Sequence, residues 1–146
     1  MDKPKVVTLC GSTRFKEKWA EANLQETLAG NIVMMVGAFT HDDDELELTR
    51  HQKAQLDVLH MHKIMLSDEI LVLNVGGYVG ESTEREIEMA MSIGRHVRWL
   101  EPNNIPDQWS SQAAWDNYPE PSGSQSEPMG TATFGLVSST RPMPLP

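Results

Sequence analysis

One cysteine, Cys10, stands in 146 residues. That excludes an internal disulfide framework and any multi-cysteine zinc site. No apolar run approaches the roughly 18–20 residues of a membrane span. The first residues, Met1-Asp2-Lys3-Pro4-Lys5, lack the long apolar stretch of a secretory signal. The expected compartment is therefore a reducing cytoplasm, with no membrane partner. Positive charge is also scarce. Twelve Lys and Arg against 21 Asp and Glu leave a net charge of −9. Phosphate backbones require clustered cations, so no nucleic-acid partner is expected. A small anionic ligand needs only two or three local donors and is still allowed. Proline is nearly missing from the first hundred residues: eight of nine lie at or beyond Pro102.

That asymmetry divides the chain. Residues 102–146 read as a Pro/Ser/Gly-rich tail, mostly disordered, because no period of 3.6 or 2 survives there. Trp109, Trp115 and Tyr118 are the residues by which a short stretch would dock back, or form an arm across a partner subunit. The working domain is residues 3–101, and its pattern alternates. Val6-Val7-Thr8-Leu9-Cys10 is a buried-strand signal ending at Gly11-Ser12. Phe15, Trp19, Ala22, Leu24 and Leu28 recur at helical spacing until Gly30. Ile32 to Val36 reads as a second strand. Leu48 to Leu66 reads as a long helix with apolar residues at 56, 59 and 66 plus Met61 and Met65. Ile70 to Leu73 is a third strand, Thr83 to Ile93 a third helix, and His96 to Leu100 a fourth strand. Alternation with continuous apolar strands predicts a Rossmann-like α/β domain: a parallel sheet of four to five strands with helices on both faces.

Ligands of such sheets bind outside the carboxyl ends of the strands. Three segments reach that edge: Cys10-Gly11-Ser12-Thr13-Arg14, the loop Gly37 to Glu47, and Gly76-Gly77-Tyr78-Val79-Gly80-Glu81-Ser82-Thr83. The first offers a glycine, two hydroxyls and an arginine at a strand-to-helix turn, the ingredients of a phosphate site. Its structural alternative is a helix cap with a solvated Arg14. The third, with Gly77, Gly80, Ser82 and Thr83, opens onto a helix N-terminus and can cradle an anion. It is neither a Walker loop nor a dinucleotide fingerprint. Thr83-x-x-Glu86 matches a capping box; alternatively, Glu86 faces the ligand as a carboxylate nucleophile or base. Asp68 opens the third strand at the wrong edge for chemistry and reads as a cap or salt-bridge residue. His60 and His62 lie two apart, so they share no helix face and form no metal pair. His41-Asp42-Asp43-Asp44-Glu45 has the composition of a cation site, but acidic loop runs are usually solvated. No metal is expected.

Taken together, Thr8-Leu9-Cys10-Gly11-Ser12-Thr13-Arg14, Ser67-Asp68-Glu69-Ile70-Leu71-Val72-Leu73, Glu86-Ile87-Glu88-Met89-Ala90 and Ile93-Gly94-Arg95-His96-Val97 resemble the nucleoside 2-deoxyribosyltransferase superfamily. The nearest branch is the nucleoside 5′-monophosphate N-glycosidases, over residues 5–100. The resemblance implies that Glu86 is the nucleophile at the anomeric carbon and that Gly11, Ser12 and Arg14 hold the 5′-phosphate, with Ser82 assisting. It also implies a homodimer. The chain departs from that branch by Thr8 in place of a tyrosine and by His60 in place of an aspartate, with Asp57 one turn earlier. A second resemblance is to the lonely-guy-type phosphoribohydrolases, through His60-Met61-His62-Lys63, Gly76-Gly77-Tyr78-x-Gly80 and Glu86. There Val75 replaces a proline, and two extra residues precede the glutamate.

Both resemblances imply cleavage of the N-glycosidic bond of a nucleotide. The expected mechanism is attack by Glu86 through an oxocarbenium-like transition state, with water resolving the glycosyl-enzyme. His60 or Asp57 would donate to the departing base, and no cofactor is required. Interception by a second nucleobase would make the same site a deoxyribosyltransferase. Loss of chemistry would leave a nucleotide-binding or sensing module, and a TIR-like NAD-cleaving domain is a further alternative.

Overall fold

Four short segments rich in Val, Ile and Leu pair in parallel, and each is followed by chain that cannot extend the strand. The computed structural model describes residues 2–39 and 47–110. In it, β1 (Val6–Cys10), α1 (Lys16–Leu28), β2 (Ile32–Met34), α2 (Arg50–Leu66), β3 (Glu69–Val72), α3 (Glu81–Ser92), β4 (His96–Trp99) and α4 (Asp107–Ser110) follow in order. The sheet order is β2-β1-β3-β4. Registers such as Val6↔Ile32, Thr8↔Ile70 and Leu71↔Arg98 are all parallel. The expected parallel α/β fold is therefore present, with four strands among the described residues. Because β2 and β3 flank β1, the chain reverses direction across the sheet between β1 and β3. A crevice opens at the carboxyl ends of such a pair.

Strand alternation decides what faces each layer. Val7 and Leu9 point to one face, where they bury Trp19 and Ala22 of α1 together with Leu71 and Leu73. Trp19 is fully buried. A side chain of that size removes about 200 Å² of surface from water, on the order of 4–5 kcal/mol. Cys10 points to the other face, among Ile64 of α2, Ile70 and Val72, and Ile87, Ala90 and Met91 of α3. Thr8, on that same face, donates its hydroxyl to the Lys63 carbonyl of α2 at 3.1 Å. The position where the resemblance leads one to expect a tyrosine thus serves as a strand-to-helix tie.

Several expected boundaries and core assignments are corrected. Leu24 and Leu28 of α1, and Leu59, Met65 and Leu66 of α2, are exposed. Their helices are covered by the sheet along a narrower stripe than the apolar pattern suggests. α2 starts at a capping box that the sequence reading missed: Thr49 and Gln52 exchange side-chain-to-backbone bonds at 3.0 Å. Pro102–Asn104 forms a 3-10 turn, and Trp109 of α4 is buried against Trp99 with ring centroids 5.9 Å apart. The packed body therefore extends at least to Ser110. Asn74 holds this extension in place: its buried amide donates to the carbonyls of Glu101 and Asn104 and accepts from the Glu101 amide. Residues 111–146, with Trp115 and Tyr118, and the acidic run His41 to Glu45 lie outside the described residues. Among the described residues no helix is long and apolar enough to cross a membrane.

Asp68 plays the structural part expected of it. Its carboxylate accepts from the Val6 amide at 2.8 Å, tying the start of β1 to the start of β3. Beside it, on the α1 side of the sheet, Glu69 is nearly sealed from solvent and pairs with both Lys5 and Arg98. Arg98 reaches on to Glu26 of α1.

Candidate functional site

The crevice at the β1–β3 reversal is a cleft of about 360 Å³, within the range of small-molecule sites. One wall is the segment after β1, with Gly11, Ser12, Thr13 and Arg14. A second is α2, which contributes Asp57 and His60. The third is the start of α3, with Gly80, Ser82, Thr83 and Glu86. Every predicted site residue but one lines this space. The exception is Gly77, which lies outside the lining. Its φ of 84° and the Asn104 carbonyl 3.3 Å from where a Cβ would sit give it a packing role instead.

The first wall is not a helix N-terminus, contrary to expectation. α1 begins only at Lys16, and its N-cap Phe15 offers no side-chain bond. The turn is set instead by Trp19, whose indole N–H donates to the Ser12 carbonyl at 3.0 Å. The Ser12 hydroxyl accepts from the Arg14 amide at 3.3 Å. Arg14 is laid over Tyr78 with its guanidinium carbon 4.7 Å from the ring centroid, which positions a cation at the rim. Gly11 has its own steric reason: a Cβ there would sit 3.0 Å from Leu73 Cβ and 3.2 Å from the Leu73 carbonyl. Leu73 is almost fully buried and cannot yield. Gly11→Ala is therefore expected to destabilise the fold by about 1–3 kcal/mol, read from the midpoint of a denaturant melt.

The third wall also differs from its expected form. α3 starts at Glu81 with Gly80 as N-cap and no side-chain cap bond. Thr83 is thus inside the helix, no Thr83–Glu86 capping box exists, and Glu86 stands in the second turn. The amides of the first turn remain open at the cleft. Three cations share the lining: Arg14, Lys53 and Lys63. Lys63 is anchored by donating to the Met35 carbonyl at 2.5 Å.

At the cleft floor three side chains converge from β1, α2 and α3. Cys10 Sγ lies 3.6 Å from His60 Nε2, and His60 Nε2 lies 3.8 Å from Glu86 Oε1. Cys10 is fully buried and His60 nearly so, while the Glu86 side chain is 12% exposed. Burial pushes the Glu86 carboxyl up to about 7, with Asp57 adding to the shift and the Cys10 hydrogen bond and Arg85 opposing it. Burial pulls His60 down to about 4, helped by Lys63 and opposed by the Leu9 backbone and Asp57. The ring is therefore neutral at pH 7, and its contact with Glu86 is not an ion pair. It cannot serve as an imidazolium acid. The Cys10 thiol is raised well above its ordinary value by burial and by Glu86, which makes it a hydrogen-bond donor rather than a nucleophile.

A buried, cleft-facing carboxylate supported by neutral donors is suited to nucleophilic or base chemistry. Cys10 is the member that sequence reasoning missed. The available signal was parity: Thr8 and Cys10 are the two polar-capable residues of β1, and they share a face. No protein-family model matches the sequence, and no curated protein matches it.

Proposed function

We propose that this cleft cleaves the N-glycosidic bond of a ribo- or deoxyribonucleoside 5′-monophosphate, with Glu86 as nucleophile. The observation that carries this reading is the Glu86 carboxylate, sequestered at the floor of a cleft whose rim bears cations and an uncapped helix start. The phosphate binds at the rim, between the first-turn amides of α3 and the turn from Gly11 to Arg14. That remote anchor orients the anomeric carbon against Glu86. The carboxylate attacks, the C1′–N bond breaks, and the base leaves with a hydrogen bond from the neutral His60 ring and takes a proton from water, Asp57 lying beside it in the lining. Water then hydrolyses the glycosyl-enzyme, releasing sugar phosphate and regenerating Glu86. Nothing in this sequence of steps calls for a redox cofactor.

The test is base release, followed by chromatography with mass detection on a panel of nucleoside monophosphates, free nucleosides and NAD. Release from monophosphates, slower from the matching free nucleosides, is the expected result. Release from NAD alone would select the TIR-like alternative. No release from any compound would leave a nucleotide-binding module.

The working form on this reading is a homodimer. Val58, Leu59, Met65 and Leu66 are exposed along one side of α2, and the resemblance to dimeric enzymes gives that stripe a second copy of the chain as its cover. Light scattering should return twice the chain mass, and Val58→Glu with Leu66→Glu should return one chain mass. A monomeric wild type would remove the dimer from the reading.

A further inference from the structure

The cluster at the cleft floor has a second capacity. Its three ligand atoms, one sulfur, one nitrogen and one oxygen, all lie within 4.8 Å of one another. His60 Nε2 lies 3.6 Å from the sulfur, a hydrogen-bond distance for that atom, and 3.8 Å from the oxygen. The other ring nitrogen, Nδ1, is buried, and Nε2 is the one that faces sulfur and oxygen. The sulfur–nitrogen and nitrogen–oxygen separations suit atoms arranged around a common centre, and sulfur and oxygen lie within 4.8 Å of each other. With zinc–sulfur near 2.3 Å and zinc–nitrogen near 2.0–2.1 Å, tetrahedral geometry puts sulfur and nitrogen about 3.6 Å apart. Nitrogen and oxygen would be about 3.3 Å apart, which Glu86 reaches by a small rotation of its carboxylate.

We propose that Cys10, His60 and Glu86 bind one Zn²⁺ ion per chain, with the fourth position open to the cleft. The mixed donor set selects a borderline transition metal over Mg²⁺ or Ca²⁺, which take oxygen. Three protein ligands with one open position is the arrangement of reactive rather than closed structural zinc. His60 and Glu86 line the cleft and the buried Cys10 is in contact with His60, so the ion would enter from the cleft. The thiol binds as thiolate and its proton passes to solvent.

A consequence follows for the proposed reaction, and it rests on the function proposed above. Zinc held by Glu86 neutralises the carboxylate and draws its electron density to the metal, so it no longer attacks the sugar. The metal-loaded protein is then inactive, and base release returns when a chelator removes the ion.

The test separates binding from activity. The full chain, stripped of metal, is titrated with Zn²⁺ by calorimetry and with Co²⁺ by absorption spectroscopy. The expected result is one ion per chain and a sulfur-to-cobalt charge-transfer band. Cys10→Ser should abolish the band and weaken binding by more than about tenfold, since even groups that merely orient a ligand are worth that much. Because Cys10 is fully buried, His60→Gln serves as a second variant and should weaken binding comparably, with circular dichroism confirming both folds. Absence of binding, or metal bound without a sulfur band, overturns the site; the latter would place the ion on other side chains. If the site binds cobalt through sulfur but base release continues under saturating zinc, the inhibitory consequence fails and the metal site stands. If no base is released at all, only the proposed reaction fails.

Discussion

Glu86→Gln should abolish base release from every monophosphate that the wild type cleaves, lowering kcat/KM by at least about 10³-fold. That is the scale of loss when the nucleophile of a catalytic unit is removed. The amide keeps the shape of the side chain but cannot form the glycosyl ester. Folding should survive the change. Glu86 holds no capping box, so no helix start depends on it. Its carboxylate is desolvated and raised to about 7, so a neutral group in that position relieves burial cost. The melting temperature is expected to be unchanged or slightly higher. Rates within a few-fold of wild type would remove Glu86 from the covalent step. The complementary observation is a trapped intermediate: mass spectrometry of quenched wild type should show a sugar-phosphate adduct on the peptide carrying Glu86, and the variant none.

The parallel sheet was legible because its central strands, β1 and β3, are buried throughout and read as apolar runs. Gly30 was legible for a different reason: it ends α1 with a φ of 93°, which favours glycine. What was not legible depends on pairing at a distance. Cys10, His60 and Glu86 are separated by 50 and 26 residues, and their meeting requires the parity of β1 and the phases of α2 and α3 at once. The start of α3 was misplaced because Thr83-x-x-Glu86 imitates a capping box, while the real start, at Gly80, carries no side-chain signal. The exposed faces of α1 and α2 were misjudged because leucine at helical spacing reports an apolar stripe, not what covers it. Asn74 gave no signal at all: its three bonds go to a segment 27 and 30 residues away.

The ion network at the opposite end of the sheet is where a single substitution should cost the most stability. Glu69 has only 5% of its side chain exposed and is held by Arg98 and by Lys5. Arg98→Met removes the closer cation and leaves a buried carboxylate with Lys5 alone at 3.2 Å. Breaking a buried pair costs about 3–5 kcal/mol, and the remaining lysine holds the loss to about 3. For a body of this size that lowers the melting temperature by on the order of 10–20 °C. Lys5→Met, at a side chain 41% exposed, should cost under about 1 kcal/mol. The double variant Glu69→Leu with Arg98→Met should recover part of the loss, because Glu69 is then no longer a buried unpaired charge, while Glu26, 13% exposed, still lacks Arg98. If the double variant is as unstable as Arg98→Met, the loss comes from Glu26 or from packing of the arginine stem, and not from Glu69. A pH series supplies the second check. Burial pushes Glu26 up, but hydrogen bonds and charge from Arg98 hold it net below the ordinary carboxylate range. A depressed carboxyl contributes stability above its unfolded value, about 4.3, and loses it as pH falls through the folded value. The gap between wild type and Arg98→Met should therefore be full at pH 7 and narrow progressively below about pH 4. A gap that stays constant into acid would show that the Glu26–Arg98 contact contributes nothing to it.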